Sequence, residues 1–357
     1  SGLQSQTAKL VVTGNLPYPD LRGRRGDGRA ALNAGFTAAR LSSGGTAARD
    51  ADARLSFTGQ TDGWIETFNI AGAGNLDVRA TRIDGALITA AGTRLRLDQA
   101  RTTFSRDARG FGWRLDGPAT LTAARASGTG LDGADVTLRS ARMVMGGRGT
   151  ALEAGGPVAL FADRLAWGEL ILNGVRGAGR LNLVADQGVR VDGAGSFAAA
   201  RGRWPLFGSV GRDDLPELAG MKQALSAFAL DIPALSLTTS PAGASVALTL
   251  PTTLRPANGG ILTLHPASAP VFSALRGQAG GGALSLKAIP GLGLPEADFT
   301  IPAWRLTPTG FTATLDGRAR ACGRSTRNSP PTASRSDSVH RPSCGLMSAS
   351  NSMPGLP

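Results

Sequence analysis

Leu76-Asp77-Val78, then Asp84-Gly85, then Leu95-Arg96-Leu97: the chain alternates, meets a turn dipeptide and alternates again. Successive side chains of an extended strand point to opposite faces, so Leu-x-Val and Leu-x-Leu each mark a strand with one apolar side. Asp-Gly supplies the positive φ that a tight hairpin turn requires. The same arrangement extends in both directions from about residue 50 to residue 200. Leu55-Ser56-Phe57, Val136-Thr137-Leu138, Leu181-Asn182-Leu183 and Val189-Arg190-Val191 alternate. Asp62-Gly63, Asp116-Gly117, Asp132-Gly133, Asn173-Gly174 and Asp192-Gly193 read as the turns between strands. An all-β chain built as a long antiparallel meander is expected. The spacing of the turn dipeptides is irregular, which excludes a propeller or a calcium-binding nonapeptide helix.

Composition agrees. The 357 residues include three lysines and five glutamates, against 50 glycines and a formal net charge of +12. Lys and Glu favour exposed helix positions and Gly favours turns, so this balance opposes a mostly helical protein. An apolar content of 41% is enough for a sizeable core,. No apolar run reaches the roughly 18 residues of a membrane-spanning helix. Ser1-Gly2-Leu3-Gln4 offers no signal-peptide features, and the natural N-terminus is expected upstream,. The arginines are spread singly along the chain, as in Arg94-Leu95-Arg96-Leu97-Asp98, and aromatics are 5%. A solvated sheet face fits that spacing, and a nucleic-acid stripe with interleaved aromatics does not.

Two segments depart from the pattern. Asp213-Asp214-Leu215-Pro216-Glu217 carries N-cap and first-turn residues, and Leu218, Met221, Leu225 and Phe228 form an apolar stripe,. An amphipathic helix is therefore expected over about 213–230. Alternation returns at Leu235-Ser236-Leu237, Val246-Ala247-Leu248-Thr249-Leu250, Ile261-Leu262-Thr263-Leu264 and Leu284-Ser285-Leu286, with prolines such as Pro233, Pro251 and Pro256 expected at strand ends, edges and connections,. Residues 321–357 hold nine serines, five prolines and both cysteines, without alternation. They read as a disordered or frameshifted tail, and 1–320 as one elongated region.

The residues of catalysis are sparse. Before the tail, His265 is the only histidine and there is no cysteine, which leaves no Cys-His pair, no zinc set and one possible base for a serine triad,. Asp213 and Asp214 are explained by helix capping. Gly193-Ala194-Gly195-Ser196-Phe197-Ala198 spells a dinucleotide fingerprint, but Gly202 and Pro205 interrupt the helix it would need,. Arg25-Gly26-Asp27 is a chance adhesion tripeptide. No enzyme activity, metal or cofactor is expected.

Leu170-Ile171-Leu172-Asn173-Gly174-Val175-Arg176-Gly177-Ala178-Gly179-Arg180-Leu181-Asn182-Leu183 resembles the AsmA-like proteins of Gram-negative bacteria. Arg203-Trp204-Pro205-Leu206-Phe207-Gly208, the helix after it and the Pro-rich strands look most like the YdbH branch, whose domain has carried a dicarboxylate-transport label. The resemblance covers about residues 1–320 and rests on texture. It implies a periplasmic protein held to the inner membrane by an anchor that this sequence lacks. Its long sheet would curl into an open groove along which phospholipid moves toward the outer membrane, with outer-membrane proteins as further partners.

On that basis the apolar positions of the alternating runs become lipid-groove candidates: Leu55, Phe57, Leu76, Val78, Leu95, Leu97, Val136, Leu138, Leu181, Leu183, Leu248, Leu250, Leu284 and Leu286. The helix would brace one end. Two other expectations compete: a β-helical adhesin or autotransporter passenger, and a polysaccharide-acting enzyme on a β-scaffold. Parity does not distinguish a trough from a filled core.

Overall fold

The computed structural model describes residues 4–17, 26–43, 45–64, 66–85, 88–128, 131–148, 151–185, 189–205, 222–240, 243–266, 271–273, 277–289, 296–307, 310–321 and 345–352. The first eleven strands are β1 (Gln4–Gln6), β2 (Lys9–Asn15), β3 (Gly28–Ser43), β4 (Thr46–Trp64), β5 (Thr67–Asp84), β6 (Thr89–Asp107), β7 (Gly110–Gly128), β8 (Leu131–Arg148), β9 (Ala151–Trp167), β10 (Leu170–Ala185) and β11 (Val189–Arg203). Nine more follow: β12 (Phe228–Ser240), β13 (Gly243–Leu248), β14 (Thr252–Pro256), β15 (Ile261–Pro266), β16 (Val271–Ser273), β17 (Gly277–Lys287), β18 (Glu296–Thr307), β19 (Gly310–Ala321) and β20 (Gly345–Ser352). They form one long antiparallel sheet that curls without closing. From β3 to β12 each strand pairs with the next in sequence. Further on, β13 and β14 share one place in the sheet, and β15 and β16 the next. Every pairing is antiparallel, so the architecture is not the parallel stack of a β-helix.

The hairpin ends are not where the dipeptides point. Only Asp84-Gly85 closes a strand. Asp62-Gly63, Asp116-Gly117, Asp132-Gly133, Asn173-Gly174 and Asp192-Gly193 all lie inside strands. Strands β4–β9 are 17 to 19 residues long, and tight links such as Gly168-Glu169 between β9 and β10 join them. Most of these internal glycines serve close packing. A Cβ on Gly117 would sit 2.6 Å from the Cα of Ala100 on the neighbouring strand.

Gly174 has a different role. Its φ is +62°, and Asp50 (+48°), Gly92 (+61°) and Asp135 (+50°) share that unusual backbone. Register aligns them in one row across the sheet: Ala39, Asp50, Thr81, Gly92, Ala124, Asp135, Asp163, Gly174 and Ala200. Regular pairing lapses at this row in every hairpin from β3 to β11, and all nine residues are exposed. An extended strand would put residues three apart on opposite faces. Across this crease they share a face: Leu172 and Val175 of β10 belong to one buried cluster.

A second irregularity runs through β6 and β8. Each carries one extra residue relative to both neighbours, between Leu97 and Arg101 and between Arg139 and Val144. Such bulges bend the strand and raise its twist. In β6 the bulge turns both Leu97 and Ala100 inward.

The expected helix is largely outside the described residues. Within them only 222–226 is helical, and Phe228, expected in the helix's apolar stripe, opens β12 instead. Ala224 and Leu225 are buried. One packs with Leu262 and Ile289, the other with Val175, Ala199 and Phe228. Residues from β10 and β15 thus close on one short helix. Pro256 and Pro266 end strands as expected, whereas Pro233 lies within β12, beside the register shift that breaks its ladder with β11. Of the expected tail, Gly345–Ser352 is a strand paired with β19; the remainder from 322 onward lies outside the described residues.

Candidate functional site

Directly paired residues share a face, so register sorts the side chains of β3–β12 into an inner and an outer surface. One inner row reads Phe36, Ala53, Val78, Leu95, Leu121, Leu138, Leu160, Gly177, Phe197 and Ile232, a residue from each of ten consecutive strands. The next row toward the hairpin tips contains Leu55, Leu76 and Leu97, and the one after it Leu32 and Phe57. Beside the crease runs a row of small residues, Ala38, Ala51, Ala80, Thr93, Ala123, Val136, Ala162, Val175 and Ala199. All but Val136 are at most 8% exposed. Small side chains fill such a row beside the crease without crowding the neighbouring strands.

Thirteen of the fourteen groove candidates fall on this inner face. Leu55, Phe57, Leu76, Val78, Leu95, Leu97, Val136, Leu138, Leu181 and Leu183 occupy the rows of β4–β10. Leu248 pairs with Leu235, and Leu284 and Leu286 pair with Leu264 and Leu262. Leu250 does not belong with them. It lies beyond the end of β13 and is 49% exposed, because the chain bends there toward Pro251. Burial separates the remainder into two groups. Phe57, Leu97 and Leu248 are buried, at 3%, 0% and 6% exposed, whereas the others, Leu138, Leu181 and Leu183 among them, are half-buried; Leu121, not among the candidates, is 38% exposed in the same row as Leu138.

A cleft of about 460 Å³ opens on this face near the β4–β5 and β6–β7 hairpin tips. Leu32, Leu55, Phe57, Phe68, Ile70 and Phe104 line it, with Leu16, Arg106 and Phe111 also on its wall. Phe104 meets Phe57 edge to face at 5.9 Å and stacks on Phe111 at 6.3 Å. The aromatic members of this cleft escaped the sequence reading because Phe68, Phe104 and Phe111 stand outside clear Leu-x-Leu alternation. Their signal was the concentration of phenylalanine between residues 57 and 111.

The outer face is polar and charged. Arg94 spans both oxygens of Asp77 at 2.9 and 2.8 Å, and Arg79 adds a contact at 2.8 Å. Arg94 first, then Arg79, hold the Asp77 carboxyl far below the usual carboxylate range. Arg142 grips Asp116 from two nitrogens at 2.8 and 2.7 Å, and Arg148 reaches Asp107 at 2.6 Å. Both carboxyls are lowered, Asp116 by Arg142, and Asp107 by Arg148 and then by the backbone N–H of Arg109. These aspartates are committed to arginine pairs across the sheet. Among the described residues no group of three metal-ligating side chains occurs, and no helix is long and apolar enough to cross a membrane. Asp213 and Asp214 lie outside the described residues.

No protein-family model matches the chain, and neither the curated proteins nor the solved structures yield a match.

Proposed function

We propose that the chain is a passive lipid carrier that shields the acyl chains of phospholipids in its curled apolar face, as part of a periplasmic path between the inner and outer membranes of a Gram-negative bacterium. The observation that carries this reading is the unbroken inner face of β3–β12. Ten strands at about 4.8 Å spacing give an apolar track roughly 43 Å long, and among the described residues no second sheet covers it,. An apolar sheet face has to be hidden from water by something. Acyl chains fit the requirement, since each methylene they bury contributes about 0.8 kcal/mol. The resemblance to AsmA-like proteins at Leu170–Leu183 points the same way. Transport by shielding needs no catalytic residue; the chain would supply a surface, and the membranes would supply and receive the lipid.

The test is mass spectrometry of the organic extract of the purified protein beside a matched control. Phospholipid at a stoichiometric level is expected in the wild type. It should fall severalfold in Leu121→Asp and Leu138→Asp, which place a charge on the open track. The wild-type extract being free of lipid while the protein is folded would overturn the reading. Leu97→Asp would serve less well, because Leu97 is fully buried and its replacement reports chiefly on folding,.

A further inference from the structure

Sorted by register, the inner face of β3–β12 carries a single charged side chain among the described residues, Arg106. It stands directly between Phe68 on one side and Phe111 on the other. Every other arginine of these ten strands is turned to the outer face. Many of those are paired with aspartates, whereas among the described residues no carboxylate lies within ion-pair distance of Arg106 and none accepts a hydrogen bond from it. The guanidinium is exposed at the mouth of an apolar cleft, so an anion whose chain enters the cleft meets donors that no carboxylate among the described residues engages,. The setting indicates which anion. Arg106 lies on the wall of the phenylalanine cleft, whose floor (Phe57, Phe68 and Ile70) is buried and whose rim at Phe111 is 50% exposed.

We infer that this cleft is a head-and-chain subsite for a singly headed anionic amphiphile. The acyl chain lies against Phe57, Phe68 and Phe104, and its carboxylate or phosphate is held by Arg106 at the rim. The inference rests on the lipid-carrier reading and deepens it: the track has a polar station at the hairpin-tip wall, and it discriminates by head charge. The planar guanidinium offers two parallel donors to a carboxylate or phosphate, a geometry that an uncharged head cannot exploit.

Competition against a fluorescent fatty-acid probe tests it, with palmitate, hexadecanol and inorganic phosphate as competitors. Wild type should bind palmitate more tightly than hexadecanol. Arg106→Gln should lower palmitate affinity by about tenfold, the loss expected for one charge-assisted contact, while hexadecanol affinity stays within about twofold. Arg106→Lys should recover part of the loss. Inorganic phosphate should compete weakly in every variant, because the chain provides most of the binding. If wild type binds both sixteen-carbon chains and Arg106→Gln lowers neither selectively, the subsite is wrong and the carrier reading stands. If inorganic phosphate competes as well as palmitate, the site is a plain anion site and the inference fails. If neither chain binds to folded protein, the carrier reading itself fails. Melting curves of the variants establish that each is folded; Arg106 is exposed, so its replacement removes no packing.

Discussion

Asp116 and Arg142 illustrate what one pair adds to the outer face. The Asp116 side chain is 13% exposed and that of Arg142 67%, so solvent screens much of the attraction,. The direction of its pH dependence is fixed all the same. Arg142 lowers the Asp116 carboxyl in the folded chain. The stabilisation is therefore fully present above the ordinary carboxylate value near 4 and is lost as pH falls through the lower folded value. Arg142→Gln should melt about 1–3 °C below wild type at pH 7, and the gap should close in acid below about pH 4. A gap that persists unchanged at pH 2 would mean that Arg142 acts through packing of its stem. Little of this was legible from residue types alone. Asp116-Gly117 reads as a turn and Arg142 as one of many dispersed arginines, because partners on different strands are known only once register is known.

At the scale of the strand, the crease decides which face each residue joins. Gly174 holds φ at +62°, and a Cβ there would come 3.2 Å from the Cβ of Ala200. Gly174→Val adds a β-branched side chain to a left-handed backbone and should cost about 1–3 kcal/mol in thermal or denaturant unfolding. Gly35→Val, in extended backbone with nothing within 4 Å, should be neutral or mildly stabilising,. Equal losses from both would show that the crease is not special. Period-two alternation was readable wherever a strand is regular, as at Leu76-Asp77-Val78 or Leu181-Asn182-Leu183. It failed at irregular points. Leu97 and Ala100 face the same way because β6 carries an extra residue, and Leu172 and Val175 do so because the backbone turns at Gly174. Asn173-Gly174 is the same dipeptide whether it closes a hairpin or creases a strand. Local chemistry specifies the positive φ and leaves its purpose to the neighbouring strands.

Taken whole, the sheet ends on one side at an edge that natural proteins usually protect. In β2, Leu10, Val11 and Val12 are 65%, 47% and 53% exposed, Lys9 is the single charge, and β3 is its sole partner among the described residues. Charges, prolines and bulges are the usual defences of such an edge, and here they are few. The chain should associate with rising concentration in sedimentation velocity, and Val12→Lys should shift it toward monomer. Wild type that stays monomeric at every concentration would show the edge to be protected after all. The all-β class was legible in the alternation, whereas the curl came only as an implication of the resemblance, since parity alone does not separate a trough from a filled core. The length of the strands was not legible, because their internal glycines resemble punctuation.

The crease also sets a measure. Asp50, Gly92, Asp135 and Gly174 are 42, 43 and 39 residues apart, one in every second strand from β4 to β10. Each hairpin thus brings its own crossing of the fold line, its own small buried residue and its own share of the inner rows. In the first hairpins the buried clusters around Phe57 and Leu97 draw on strands no more than three places apart. Gain or loss of one such module would lengthen or shorten the track by about 10 Å and leave its cross-section unchanged. Reach is then an inherited count, adjustable by duplication, while the sequence of each module is free to drift within its pattern of large, small and apolar.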